Sequence, residues 1–245
     1  MKTVIIVQAR MGSTRLPGKV MKTVLGKTLL EYLFERLWRV RRADLFMVAT
    51  TTNPHDAVIV EHCRHLGVPV ICGSEDDVLA RYYRAATIQQ ADIIVRITAD
   101  CPLIDPAVID KAIKFFHENI GRYEYVSNTL KQSYPYGMAV EVFSFGLLEQ
   151  AYREARKETE REHVTPFFYT RPERFRIGQF VNEVDLSHHR WTVDTQEDFE
   201  LIRLIIEELY IANLTFGLDD ILKCLEEHPA WTEINAHVKQ KKLDE

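Results

Sequence analysis

No aspartate or glutamate occurs among the first thirty residues, although the whole chain is acidic, with a formal net charge of -5. That balance excludes wholesale nucleic-acid binding and leaves room for a local anion site near the N-terminus. Cysteine is sparse. Cys63, Cys72, Cys101 and Cys224 form no CxxC pair, and no His/Cys cluster has zinc spacing, which excludes a disulfide framework and a structural zinc site. The pattern fits reduced thiols in a cytoplasmic protein. Long hydrophobic runs are missing too, so no membrane span is expected. The run "VIIV" is too short for a secretory leader. A basic, acid-poor N-terminus can also mark an organelle transit peptide, but this one reads as strand, glycine loop and helix. Internal repeats, low-complexity tracts and obvious linkers are absent.

What is present alternates. "KTVIIVQA" is a continuous β-branched run, as in a strand buried on both faces. Apolar residues then recur at helical spacing from Thr28 to about Arg41. "LFMVATTT", "VPVIC" and "DIIVRIT" read as further strands. "HDAVIVEHCRHLG", capped by Gly67, "EDDVLARYYRAATIQQ" and "AVIDKAIKFFHENI", entered through Pro106, read as helices. This βα order predicts an α/β fold with a mostly parallel sheet and helices on both faces. The rhythm changes after residue 120. "YEYVS" and "AVEVFSF" predict an excursion or antiparallel edge, "RFRIGQFV" and "RWTVD" predict strands, and "TQEDFELIRLIIEELYIA" predicts an amphipathic helix capped by Thr195. The expected organisation is one domain over 1–245, with a small lobe or dimerisation arm near 123–145.

Five constellations carry chemistry. The first is "QARMGSTRLPGK", placed directly after a strand. Gly12 and Gly18 permit close backbone approach, Ser13 and Thr14 add hydroxyl donors, and Ala9, Gly12 and Ser13 are candidate nucleotide contacts. Arg10, Arg15 and Lys19 bring charge suited to phosphate oxygens. It is not a Walker A loop, because Val20 follows Lys19, and no GxGxxG fingerprint occurs. The second, "RITADCPLIDP", ends a strand at Asp100. A carboxylate facing a phosphate loop needs a cation between them, and Mg²⁺ binds one or two carboxylates together with phosphate oxygens. Otherwise Asp100 caps a turn; Asp105 reads as the cap of the next helix. The third, "RWTVDTQED", places Asp194 similarly: either a second metal ligand or a partner of Thr195 in capping the helix. The fourth, "YPYGMAVEVFSF", offers Tyr134, Tyr136, Gly137 and Glu141 to a sugar-sized pocket, or to ordinary hairpin packing. The fifth, "TEREHVTP", clusters Arg161, Glu162 and His163, with Arg161 and His163 as candidate substrate contacts. His188-His189 reads as a solvated turn, with a metal site as the weaker reading.

Taken together, "VIIVQARMGSTRLPGKVM", "ADCPLID", "GMAVEVFSFGLLEQA", "REHVTPFFY" and "RWTVDTQEDFELI" resemble the spore coat polysaccharide biosynthesis protein F group, over residues 4 to about 206. That group is similar to the cytidylyltransferases that make CMP-activated sugar acids. The resemblance implies a three-layer Rossmann-like nucleotide-diphospho-sugar transferase fold with a small antiparallel arm, commonly dimeric. It implies that Arg10, Arg15 and Lys19 hold a nucleotide triphosphate and that Asp100 and Asp194 bind Mg²⁺. From position in such a fold, residues Gly73 to Asp77 lie near the base. Two departures stand out: Gln196 replaces a proline at a helix start, and Ala139 stands where members often carry an acid. If that acid touches substrate, sugar specificity differs here or activity is reduced.

The expected function is a Mg²⁺-dependent nucleotidyltransferase in surface or spore-coat polysaccharide biosynthesis. CTP and a sugar acid would give a CMP-sugar and pyrophosphate, with no nucleic-acid or membrane partner and with a homodimer as the working form. The rival is a glycosyltransferase using a nucleotide-diphosphate sugar, since one fold serves both; a non-catalytic nucleotide-binding protein is a third reading. Three cations in one loop favour a triphosphate and its departing pyrophosphate.

Overall fold

A computed structural model describes residues 1–240. Residues 241–245, the end of the expected single domain, lie outside the described residues. In chain order the strands are β1 (Thr3–Gln8), β2 (Thr23–Val24), β3 (Lys27–Thr28), β4 (Leu45–Thr51), β5 (Val70–Gly73), β6 (Ile93–Thr98), β7 (Tyr125–Ser127), β8 (Glu141–Ser144) and β9 (Ile177–Gln179). The α-helices are α1 (Leu29–Leu37), α2 (Ala57–His65), α3 (Val78–Gln89), α4 (Pro106–Glu118), α5 (Phe145–Glu154), α6 (Glu158–His163), α7 (Pro166–Tyr169), α8 (Gln196–Leu209) and α9 (Leu218–Glu227).

Seven strands form one sheet in the order β5-β4-β1-β6-β8-β7-β9, and β2 and β3 form a small antiparallel pair. The β5, β4, β1 and β6 strands run parallel. Because side chains alternate along a strand, β1 divides its residues between two cores. Ile5 and Val7 face the layer built by Leu30, Phe34, Ile109 and Ile202. Val4 and Ile6 face the layer built by Leu79, Tyr82, Leu148 and Phe168. The result is a three-layer α/β fold, mostly parallel, as the βα alternation requires.

Helix boundaries follow the capping chemistry. Thr28 and Glu31 form a capping box on α1, and Thr195 and Asp198 form one on α8. Asp105 caps α4, with Pro106 at its first position, as its sequence suggested.

Two expectations change. The strands read as an excursion or edge enter the main sheet: β8 lies between β6 and β7, antiparallel to both. Their β-branched and aromatic residues are buried on both faces, so they behave as interior strands. "RWTVD" is not a strand. Arg190 makes one isolated bridge with Tyr136, and Val193 N–H is taken by the carbonyl of Asp100 at 2.8 Å, so the segment is bolted to a loop instead of a ladder.

Strand order fixes where a ligand can sit. The chain leaves β1 toward β4 and β5 on one side, then returns to β6 on the other. The β1–β6 junction is therefore a topological switch point, and crevices in open α/β sheets form at the carboxyl ends of such strands. Gln8 and Thr98, the last residues of β1 and β6, are registered opposite each other at this junction.

Candidate active site

The basic loop begins where β1 ends. Met11 N–H donates to the carboxylate of buried Asp56 at 2.6 Å, and Gly18 N–H closes back on Met11 O at 2.9 Å. Gly18 has φ 70°, a left-handed conformation that glycine adopts without strain. The loop is thus folded back on itself, and the 3₁₀ turn Lys19–Met21 that follows delivers Lys19 into the switch-point crevice.

Two carboxylates arrive from the other side. Asp100 follows β6, and its carbonyl accepts from Val193 N–H and from Thr192 Oγ1 at 3.2 Å. This stitching brings Asp194 beside Asp100. Lys19 Nζ lies between them, 2.8 Å from Asp100 Oδ2 and 2.7 Å from Asp194 Oδ1. Arg15 Nη2 reaches Asp194 Oδ2 at 2.9 Å, and Arg190 Nη2 reaches the same oxygen at 2.8 Å. Burial opposes the charge on Lys19, but Asp100 and Asp194 outweigh it and raise its pKa. Burial likewise opposes ionisation of Asp100, but Lys19 outweighs it and lowers the carboxyl pKa. Both groups are ionised at neutral pH.

Asp194 is held from beneath. Arg190 pairs with Asp198 through Nε at 2.9 Å, and Asp198 Oδ2 accepts from the backbone N–H groups of Asp194 and Thr195 at 2.9 and 3.1 Å. Asn235, near the end of the described chain, donates to Asp198 at 2.8 Å and to the Arg190 carbonyl at 2.9 Å. Arg190, Asp198 and Asn235 are buried.

The crevice encloses about 300 Å³ and is lined by Ala9, Arg10, Ser13, Arg15, Lys19, Arg81, Asp100, Glu162, His163 and Asp194 among others. At its mouth Arg10 stands 3.7 Å from Glu75 and 3.8 Å from Glu162. Gly12 borders the same rim, with Glu75 Oε1 3.2 Å from where its Cβ would lie. Arg81 forms a wall. It is 2 % exposed, donates to the carbonyls of Ser74 and Glu75, leaves its buried Nε without a partner and makes no ion pair with a carboxylate among the described residues. Gly73 ends β5 against Arg81, so closely that a Cβ would lie 2.8 Å from Arg81 Cγ. Asp77 caps α3 and pairs with Arg161. Val164, directly after His163, has φ 69°, a strained value for a β-branched residue, next to the crevice lining.

The structure therefore gathers Ala9, Arg10, Ser13, Arg15, Lys19, Asp100, Asp194 and His163 at one crevice. Gly12 lies beside it against Glu75, Asp77 and Arg161 pair next to the lining residues Val78 and Glu162, and Gly73 packs on Arg81 and lines a neighbouring groove. The structure does not bring Tyr136, Gly137 or Glu141 to the crevice. Tyr136 and Gly137 lie behind Asp194. The Tyr136 carbonyl accepts from Trp191 N–H at 2.7 Å, and Gly137, at φ 102°, is pressed against the Trp191 backbone. Glu141 is buried within the sheet, where it pairs with Arg96 and accepts from Tyr125 Oη at 2.5 Å. Ala139 is exposed just before β8. Sequence reading missed Arg190, Asp198 and Asn235 as a unit, and Arg81 as a wall. The available signal was a buried-type "RWTV" run that begins on an arginine, four residues before Asp194.

Among the described residues no group of three or more His, Cys, Asp or Glu side chains is placed to hold a metal. The acidic donors here are two carboxylates, already spaced to share one cation. A groove of about 790 Å³ beside α9 is larger, but it lacks converging arginines and lysines from a strand end, so chemistry and not volume selects the site. No helix of the described residues is long and apolar enough to cross a membrane.

Comparison with known proteins follows the same lines. A family model described as Cytidylyltransferase matches residues 4–243. The spore coat polysaccharide biosynthesis protein SpsF of Bacillus subtilis is 32% identical over 211 residues, covering 83% of this chain and 85% of that protein. A cytidylyltransferase structure from Leptospira borgpetersenii serovar Hardjo-bovis superposes with a TM-score of 0.91 at 35% identity, covering 99% of both chains. A CMP:2-keto-3-deoxy-manno-octonic acid synthetase, solved in complex with CTP, shares the fold with a TM-score of 0.67 at 17% identity, over 85% of this chain and 100% of that one.

Proposed function

The chain belongs to the cytidylyltransferase family and is a nucleotidyltransferase, and on that premise we propose that it joins CTP to a sugar acid, giving a CMP-sugar and pyrophosphate. The observation that carries this reading is the meeting of Lys19 with Asp100 and Asp194 at the switch point, next to a loop that also presents Arg10 and Arg15.

In the proposed reaction a sugar hydroxyl oxygen attacks the α-phosphorus of CTP. A new P–O bond forms, the bond to the bridging oxygen of the β-phosphate breaks, and pyrophosphate departs with that electron pair. The hydroxyl proton leaves to solvent. No covalent enzyme intermediate is needed, so positioning and charge stabilisation carry the rate. Arg10, Arg15 and Lys19 bind the β- and γ-phosphates and neutralise the charge that gathers on pyrophosphate. Loop backbone N–H groups and Ser13 add donors. Asp100 and Asp194 fit a divalent cation, because their oxygens already converge on one positive charge. Mg²⁺ held there would polarise the phosphoryl oxygens and lower the pKa of the attacking hydroxyl. The rim from Gly73 to Asp77 lies where the base would rest, and Arg161, Glu162 and His163 face the sugar side. Tyr136 and Gly137 serve this site by supporting the Trp191–Asp194 segment.

The likeness to SpsF supports a role in surface polysaccharide synthesis, and the likeness to an octonic acid synthetase supports a sugar acid as acceptor. All four cysteines are free, in keeping with the reducing cytoplasm as the place of action. The working form we propose is a homodimer. The test is pyrophosphate release from CTP and Mg²⁺ across a panel of 2-keto-3-deoxy sugar acids. Release that needs both substrates is the expected result. Release of nucleoside diphosphate from a nucleotide-diphosphate sugar, with none of pyrophosphate from CTP, would overturn it in favour of glycosyl transfer.

A further inference from the structure

The cation position between Asp100 and Asp194 is held by the protein's own ammonium group. Asp194 also meets Arg15 and Arg190, and Arg190 is answered by Asp198. Counted by sign, the acids and bases of this cluster balance. It carries no surplus negative charge with which to draw a free dication; Glu162, which also lines the crevice, faces Arg10 at 3.8 Å, and among the described residues no third acid is grouped with these two to hold a metal.

We propose that Lys19 is a resident counter-cation in the divalent-ion position, so that the ion and the nucleotide triphosphate can bind well only together. This rests on the nucleotidyltransferase reading above. A dication arriving alone must push a well-placed ammonium off two carboxylates and leave it unpaired in a crevice walled by Arg81. A triphosphate changes that balance. It offers Lys19 a new set of anionic oxygens, and it supplies the oxygen ligands that two carboxylates cannot complete for Mg²⁺. The ammonium sits on a flexible four-carbon stem, 12% exposed, and can swing into the crevice while its backbone stays in the turn after Gly18. An arginine here would keep the charge.

The consequence is a coupling between ion and nucleotide, and coupling between two binding events is reciprocal. It is read with Mn²⁺, whose free-ion EPR signal falls on binding, using the full-length protein with and without CTP and no acceptor sugar. Wild type should bind Mn²⁺ weakly alone and about ten- to a hundred-fold more tightly with CTP, within the usual range of such couplings. Lys19→Met should bind Mn²⁺ at least about ten-fold more tightly than wild type without CTP, and CTP should tighten it by a smaller factor than in wild type, since phosphate oxygens still complete the ion's ligands but no ammonium has to be displaced. Lys19→Arg should stay weak alone. Circular dichroism checks that each variant folds, and Lys19→Gln replaces the methionine variant if that one does not. If folded Lys19→Met or Lys19→Gln binds Mn²⁺ no better than wild type, while Asp100→Asn and Asp194→Asn abolish Mn²⁺ binding in the CTP complex, the counter-cation role is overturned and the site reading stands. If those two asparagine variants bind Mn²⁺ like wild type with CTP, the metal-ligand assignment itself fails, and the counter-cation role falls with it.

Discussion

Arg190 and Asp198 pair inside the protein through two contacts, Nε to Oδ1 at 2.9 Å and Nη2 to Oδ2 at 3.1 Å, and the same arginine reaches Asp194 at 2.8 Å. The crevice carboxylate is therefore held by Lys19 and Arg15 within the crevice and braced from behind by Arg190 and Asp198, which do not line it. Removing one partner of a buried pair leaves an unpaired charge, at a typical cost of about 3–5 kcal/mol. We predict that Arg190→Met loses stability on this scale. Arg190→Lys should retain most of the fold but lose roughly ten- to a hundred-fold in Mn²⁺ affinity measured in the presence of CTP, as for groups that orient a metal ligand. Urea unfolding and Mn²⁺ titration check the two separately.

Glu141 gives the opposite test. Its carboxylate is engaged by Arg96 and Tyr125 inside the sheet, away from the crevice. Glu141→Gln should destabilise the fold by about 3–5 kcal/mol, because Arg96 keeps its buried charge without a counter-charge. The KM for the acceptor sugar should not change in protein that remains folded. A selective rise in that KM would return Glu141 to the substrate site.

Gly137 is required by shape. Its φ is 102°, and an added Cβ would lie 2.6 Å from the carbonyl carbon of Trp191. Gly137→Ala should destabilise by more than about 1 kcal/mol, whereas at a site with permissive backbone angles the same change stabilises slightly. Because Trp191 leads into Asp194, turnover should fall together with the melting temperature.

His189 predicts a pH dependence. Burial, with the charge of His188 as a smaller cause, depresses its pKa from 6.5 to about 4. Between those values the unfolded chain binds the proton and the folded protein does not, so stability rises with pH. Its contribution is complete above pH 6.5 and is lost as pH falls toward 4. His189→Gln should flatten this part of the profile, measured as urea midpoints at several pH values across that window.

Much of this was legible in the chain itself, for physical reasons. The β1 run, the basic loop and Asp100 are local signals: strand, glycine turn and charge lie within a few residues of each other. The capping roles of Asp105 and Thr195 are local as well. The grouping of Arg190, Asp198 and Asn235 is not, since Asn235 is 45 residues from the Arg190 carbonyl it serves. Glu141 misled for a related reason. An acid in a strand-like stretch looks exposed until β8 is known to lie between β6 and β7, where Arg96 is its registered neighbour.

The most direct measurement is calorimetric titration of the intact protein with CTP, UTP, ATP and GTP, in Mg²⁺ and in EDTA. We predict that CTP binds in Mg²⁺ and much more weakly in EDTA, that the other triphosphates bind less well, and that Asp100→Asn and Asp194→Asn lose the Mg²⁺ dependence. Absence of binding by every triphosphate, with clear binding of a nucleotide-diphosphate sugar, would contradict the assignment of this crevice to CTP.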